Sequence, residues 1–238
     1  MHIAILTFDG YNELDSLIAL GILNRLYRDD LRISIASPTP RVRSMNGVVV
    51  EAMATLEDAC TADAVIIGSG SKTREIIDDA QVMATLRGLN PERQLIAAQC
   101  SGTLIAAKLG LLDGVLACTD DVTKPWVIAA GVDIVNKPFC VSGNVATAGG
   151  CLASQYLATW LMRRLFGTEA AIAALRYVVP IGEQDDYIQR ALRNTEQPQI
   201  LDSELSSVLS NPLPQRVNGS FEADPERVAS GKYPNITV

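Results

Sequence analysis

The stretch Leu95-Ile96-Ala97-Ala98-Gln99-Cys100-Ser101-Gly102-Thr103-Leu104-Ile105-Ala106-Ala107-Lys108-Leu109-Gly110 changes character at its cysteine. Residues 94–99 form a mostly apolar run of the kind carried by a strand buried on both faces, and residues 101–112 place apolar side chains at helical spacing. A strand that passes straight into a helix is one βα unit. The order small-x-nucleophile-x-small in Ala98-Gln99-Cys100-Ser101-Gly102 suits a sharp turn with a thiol at its apex, because tiny flanking residues let backbones approach closely.

The pattern repeats on both sides of this stretch. Residues 2–8 are an apolar run, and Leu14, Leu17, Ile18, Ile22 and Leu26 recur at helical spacing after it. Residues 33–36 alternate, and Asn46-Gly47 beside a β-branched run signals a hairpin. Residues 64–68 are a second buried-type strand, followed by a helical pattern over 73–87 that stops near Gly88 and Pro91. A short strand is expected at 115–118 and a less regular region over 120–147. A long helix is expected over 150–166, and then one at 169–177 capped by Thr168. Alternating β and α elements predict a doubly wound, mainly parallel α/β sheet sandwiched by helices. The 238 residues accommodate one such domain at 1–185 and a C-terminal extension at 186–238. The extension begins with a helical stretch at 186–193 and carries five prolines from Pro198 to Pro234, and it is expected to pack on the domain or on a partner subunit.

Composition narrows the function. Apolar residues make up 48% and charged residues 20%, and no apolar run reaches the roughly 18 residues that cross a bilayer. The N-terminus lacks the cationic flank, apolar stretch and small-residue cleavage site of a secretory signal, so a cytoplasmic location is expected. A net charge of −7 argues against nucleic acid, which selects basic faces. Five cysteines without a Cys-x-x-Cys pair, together with a single histidine, His2, predict neither a zinc site nor any other metal or cofactor. Small molecules are the expected partners, and most of the thiols are expected to be small buried hydrophobes.

In an open α/β sheet, ligands bind beyond the carboxyl ends of the strands, where Cys100 falls. The start of the helix at Ser101 favours negative charge and presents free N–H groups, which would lower the thiol's pKa and stabilise an anion on a substrate. From the residues alone two readings stay open: a nucleophilic thiolate, or a buried cysteine at a tight turn.

Cys100-Ser101-Gly102 followed by Leu104, Ala106-Ala107 and Gly110-Leu111-Leu112-Asp113-Gly114 resembles the nucleophile segment of the DJ-1/PfpI superfamily, a branch of the class I glutamine amidotransferase-like, flavodoxin-like folds. Three further segments match in order: Leu14-Asp15 resembles the motif that carries the acidic partner of the cysteine, residues 63–70 resemble the strand that ends in a glycine-rich oxyanion turn, and residues 142–150 resemble the late strand and its glycine turn. Coverage is about residues 1–180. An aspartate at position 15 together with Cys-Ser-Gly is most similar to isonitrile hydratase-type members. That resemblance implies Cys100 as nucleophile, Asp15 as general acid, and backbone amides of Gly70 and Ser101 as oxyanion donors. It also implies a homodimer with the first-helix or elbow region near the interface. The residue-level alternative for Asp15 is a helix-terminal acid complementing the dipole.

The chain departs from the family pattern in places. Ser101 follows the cysteine and no histidine occurs after His2, which disfavours Cys-His hydrolysis. Asp120 stands where many hydratase-like members carry a histidine nearby, either as a polar pocket residue or as a solvated turn residue. The turn Gly68-Ser69-Gly70-Ser71-Lys72 lacks the usual proline and Gly-Gly pair, and Gln155 replaces an acidic residue. Three functions remain in view: an isonitrile hydratase-like enzyme of small electrophiles, a glyoxalase- or deglycase-like activity on 2-oxoaldehydes, and a redox-sensing or ligand-binding protein without turnover. The tail is too short and too proline-rich for a helix-turn-helix module.

Overall fold

The computed structural model describes residues 1–196. The chain opens with β1 (His2–Leu6) and α1 (Glu13–Leu23), reaches β2 (Arg32–Ala36), and forms a small antiparallel pair from β3 (Arg41–Arg43) and β4 (Val49–Glu51). Next come α2 (Leu56–Thr61), β5 (Ala64–Ile67), α3 (Thr73–Asp78), α4 (Ala80–Leu86) and β6 (Leu95–Gln99). The elements α5 (Gly102–Lys108) and α6 (Lys124–Ala129) lead to the hairpin of β7 (Phe139–Ser142) and β8 (Val145–Ala148). Finally, α7 (Ser154–Phe166), α8 (Thr168–Val178) and α9 (Gln184–Asn194) close the described chain.

The main sheet has the order β2-β1-β5-β6-β8-β7, and every neighbouring pair is parallel except β7 with β8. This is the doubly wound, flavodoxin-like α/β arrangement. Strand order reverses between β1 and β5, so their carboxyl ends diverge into a crevice. Period-2 alternation assigns each strand residue to a layer. Ile3, Ile5, Ala64, Ile66, Leu95 and Ala97 pack under α1, α7, α8 and α9, whereas Ala4, Leu6, Val65, Ile67, Ile96 and Ala98 pack under the layer containing α2, α4 and α5. Because both faces are covered, these strands read as solid apolar runs. Each layer holds one tryptophan. Trp160 is fully buried against Phe139, ring centroids 6.4 Å apart, and half-buried Trp126 lies on the opposite layer beneath the Arg74 guanidinium, 5.0 Å from its ring centre.

Several elements differ from the sequence expectation. The helix expected over 73–87 breaks at Asp79, whose extended backbone and side chain, accepting from Gln81 and Val82 N–H at 2.9 and 3.0 Å, start a new helix. Residues 115–118 form no strand of the sheet; Ala117 makes one isolated bridge to Ile134. The region 120–147 holds α6, with proline in its first turn, and the β7–β8 hairpin. The helix expected from Gly150 begins instead as a 3-10 turn, Cys151–Ala153, and becomes α-helical at Ser154. Thr168 caps nothing: Gly167, at φ 87°, holds the cap position of α8. The Asn46-Gly47 turn does join the β3–β4 pair, with Gly47 at φ 95°. Ile188 and Ala191 of α9 pack into the α7–α8 layer, and the rest of the expected extension, residues 197–238, lies outside the described residues.

Candidate active site

Cys100 occupies the turn between β6 and α5 with φ 46°, a left-handed conformation that costs a non-glycine residue roughly 1–2 kcal/mol. Surrounding bonds hold it there: its N–H donates to Ala148 O at 2.8 Å, and its carbonyl accepts from Thr119 Oγ1 at 2.8 Å and from Thr103 N–H at 3.1 Å. Gly102 completes the turn because any Cβ there would meet the Ile67 carbonyl oxygen and lie 2.7 Å from that of Gly68. The small residue two positions after the cysteine is therefore a packing requirement of the elbow against β5.

Asp15 enters from the first turn of α1. Asn12 caps this helix by accepting Leu14 N–H at 3.1 Å, and the same first turn carries Asp15 inward, where it is fully buried. Ser69 Oγ donates to Asp15 Oδ2, while Oδ1 has no partner among the described residues. A carboxylate oxygen of Asp15, Cys100 Sγ and Cys151 Sγ all lie within 4.8 Å of one another. The fold thus unites the two residues expected to act together, from segments 85 positions apart, and adds a third that the sequence reading passed over.

Cys151 arrives on the 3-10 turn after β8, preceded by Gly150 at φ 87°. Its Sγ accepts from Asn12 Nδ2 at 3.2 Å, so the residue that caps α1 also holds the second thiol. Gln99, fully buried, donates from Nε2 both to Cys100 Sγ at 3.3 Å and to Gly150 O at 2.9 Å, while its Oε1 is unpartnered among the described residues. By donor type, two sulfurs and one carboxylate oxygen are also a soft-cation ligand set.

The electrostatics correct one expectation. Burial pushes the Cys100 thiol well above its ordinary value, and the neighbouring Asp15 carboxylate pushes it further the same way. Burial likewise raises Asp15, against the lowering effect of the hydrogen bond from Ser69. A seven-residue helix and a buried elbow do not by themselves make a thiolate. Two adjacent buried anions exclude each other, so a Cys100 thiolate requires a proton on Asp15. Cys151 is raised too, first by burial and then by Asp15.

The remaining expected residues have defined surroundings. Gly70 N–H donates to Ser101 Oγ at 3.1 Å, so this amide is already engaged by a side chain; glycine is required there because a Cβ would collide with the Gly10 carbonyl oxygen. Ser101 Oγ also bonds Thr73 Oγ1 at 2.7 Å and ties the elbow to the β5 loop. The Ser101 amide, at the start of α5, has no acceptor among the described residues. Asp120 accepts Val122 and Thr123 N–H at 3.0 and 2.9 Å, as a turn residue does, and it also lines a cleft of about 330 Å³ with Thr119, Lys137, Gly149 and Gly150. His2 opens β1 at the amino end of the strands, its Nε2 2.7 Å from Ser34 Oγ, so no imidazole stands at the site.

A thiol in a left-handed strand-to-helix elbow, facing a buried carboxyl at the switch point of a doubly wound sheet, defines a nucleophile-elbow α/β protein with a cysteine–acid pair. Residues 1–164 match the DJ-1/PfpI family profile, and the chain belongs to that family. Isonitrile hydratase of Pseudomonas putida is 24% identical over 171 residues, covering 72% of this chain and 75% of that one. Among solved structures, Schizosaccharomyces pombe DJ-1 superposes with a TM-score of 0.66 at 16% identity, over 76% of this chain and 100% of its own. A ThiJ/PfpI family protein from Pseudomonas syringae gives the same TM-score at 19% identity, over 82% and 87%. These likenesses concern the fold. Among the described residues, no helix is long and apolar enough to cross a membrane.

Proposed function

We propose that this protein is a cofactor-independent enzyme of small electrophiles that hydrates isonitriles to N-substituted formamides, with Cys100 as nucleophile and Asp15 as general acid. The observation that carries this reading is the fully buried Asp15 carboxyl, with one oxygen held by Ser69 and a carboxylate oxygen within 4.8 Å of Cys100 Sγ. Burial raises the Asp15 carboxyl above its ordinary value, the direction a general acid needs. The likeness to isonitrile hydratase supports the choice of substrate class.

In this scheme the Cys100 sulfur forms a bond to the terminal carbon of R–N≡C while Asp15 gives that carbon its proton, leaving a thioimidate on Cys100 and a carboxylate on Asp15. Water then adds across the C=N bond, its oxygen to carbon and a proton to nitrogen. The Ser101 amide, without an acceptor among the described residues, is positioned at the elbow to stabilise developing negative charge on that oxygen. The C–S bond breaks as Asp15 takes back the hydroxyl proton, which releases R–NH–CHO and restores the thiolate–acid pair.

Formamide formation from a panel of alkyl and aryl isonitriles, followed by proton NMR, tests the scheme. Cys100→Ala should abolish turnover, and Asp15→Asn should lower kcat by roughly 10²–10⁴-fold, the usual weight of a positioned acid. Formamide at the buffer rate across the panel, or full activity in Cys100→Ala, refutes it. A redox-responsive role is the second reading, favoured by the Cys151 thiol in the same cluster. The 2-oxoaldehyde reading has no observation of its own at a site without imidazole. The proposal includes a cytoplasmic homodimer, with the exposed Leu14 and Leu152 near the site as its apolar contact.

A further inference from the structure

We infer that Cys151 is the resolving partner of Cys100, and that the two thiols close a reversible disulfide when the site meets a hydroperoxide. The inference rests on the reading of Cys100 as a reactive thiol and extends it to a residue with no role in the hydration scheme.

The five cysteines divide by the polarity of their hydrogen bonds. Cys60, Cys118 and Cys140 each direct the sulfur at a backbone carbonyl, of Thr85, Thr147 and Leu116, at 3.1–3.2 Å, which is how a structural thiol is satisfied. Cys100 and Cys151 instead each accept an amide N–H, from Gln99 Nε2 at 3.3 Å and from Asn12 Nδ2 at 3.2 Å. A donor aimed at sulfur stabilises negative charge on it, here against the larger raising effects of burial and of Asp15. These two also share a cluster with Asp15, their sulfurs within 4.8 Å of each other. A disulfide needs about 2.05 Å between sulfurs, so the gap must close by side-chain and local backbone movement. The turn permits it: Cys151 is partly exposed, it begins a 3-10 turn, and the preceding Gly150 has open space around the position a Cβ would take.

The chemistry balances without a further cofactor. The Cys100 thiolate attacks the distal oxygen of ROOH; the S–O bond forms, the O–O bond breaks, and the alkoxide leaves as ROH with the proton of Asp15. The Cys151 sulfur then attacks the Cys100 sulfur, the S–S bond forms, the S–O bond breaks, and hydroxide leaves as water with the Cys151 proton. Two thiols lose two electrons and the peroxide gains them. An external dithiol reverses the change by exchange.

The test treats the reduced full-length chain with hydrogen peroxide, blocks remaining thiols, and maps peptides by mass spectrometry without reductant. The expected result is a Cys100–Cys151 linked peptide, loss of two of the five titratable thiols, and their full return with dithiothreitol. In Cys151→Ser and Cys151→Ala, Cys100 should instead advance to the sulfinic acid, which dithiothreitol does not reverse. If native Cys100 reaches the sulfinic acid as fast as in the two variants while Cys151 stays free, the disulfide is refuted and the reactive thiol survives. If native Cys100 resists both peroxide and iodoacetamide, the reactive-thiol reading falls and the disulfide with it.

Discussion

Replacing Gly102 by alanine adds one methyl group at the point where the elbow leans on β5. The new Cβ would lie 2.7 Å from Gly68 O and closer still to Ile67 O, while ordinary contact begins near 3.4 Å, so the elbow must move away from the strand by at least about 0.7 Å. Both obstacles are backbone carbonyls of a central buried strand end and cannot rotate aside. Overpacking of this kind costs about 1–3 kcal/mol, and at roughly 2–4 °C per kcal/mol for a chain of this size the melting temperature should fall by about 2–12 °C. Gly21→Ala is the matched control: Gly21 lies within α1, and nothing stands within 4 Å of its added Cβ. There the same methyl should stabilise by about 0.5–1 kcal/mol through helix propensity. Thermal unfolding followed by circular dichroism compares the two, and the alkylation rate of Cys100 against pH reports whether the elbow has moved relative to Asp15. An unchanged melting temperature and pH profile in Gly102→Ala would refute the claim that carbonyl crowding dictates glycine here.

Two further outcomes follow from the burial of Asp15 and from the exposed leucines. Because the folded carboxyl is raised, it favours the native state below the unfolded carboxylate value of about 3.9, and this advantage is lost as pH climbs through the folded value. Asp15→Asn removes that slope, so its melting temperature should gain on the native protein as pH increases from 4 to 8; parallel curves would show that the carboxyl is not raised. Leu14→Glu combined with Leu152→Glu should convert the proposed homodimer to monomer in light scattering behind size exclusion, and an unchanged mass would place the interface elsewhere or remove it.

The central part of the fold was legible because its strands are buried on both faces: Ala64–Ile67 and Leu95–Gln99 are uninterrupted enough to read as core, and the Cys100 turn announces itself by its small neighbours. Asp79 was not legible as a break, since helical periodicity continues through it and only its side-chain capping divides the helix. Cys100 was singled out by its small neighbours at a strand-to-helix change, and Asp15 by the resemblance of Leu14-Asp15 to the family's first-helix motif. Ser69, Gln99 and Cys151 were missed for the opposite reason: Ser69 looked like a turn residue, Gln99 like the end of a strand, and Cys151 like one more small hydrophobe. Their contacts with Cys100 and Asp15 arise only when the ends of β5, β6 and β8 converge. The thiol's pKa was misjudged because a helix start is visible in sequence whereas desolvation is not.

The two tryptophans give this sheet a built-in pair of optical reporters. Trp160 is sealed in one layer, and half-buried Trp126 rests on the other beneath an arginine. With either indole replaced by phenylalanine, the emission of the survivor follows one side of the β-sheet alone, so the fluorescence of the two single-tryptophan proteins in denaturant distinguishes a molecule that melts as one body from one whose faces peel apart in turn.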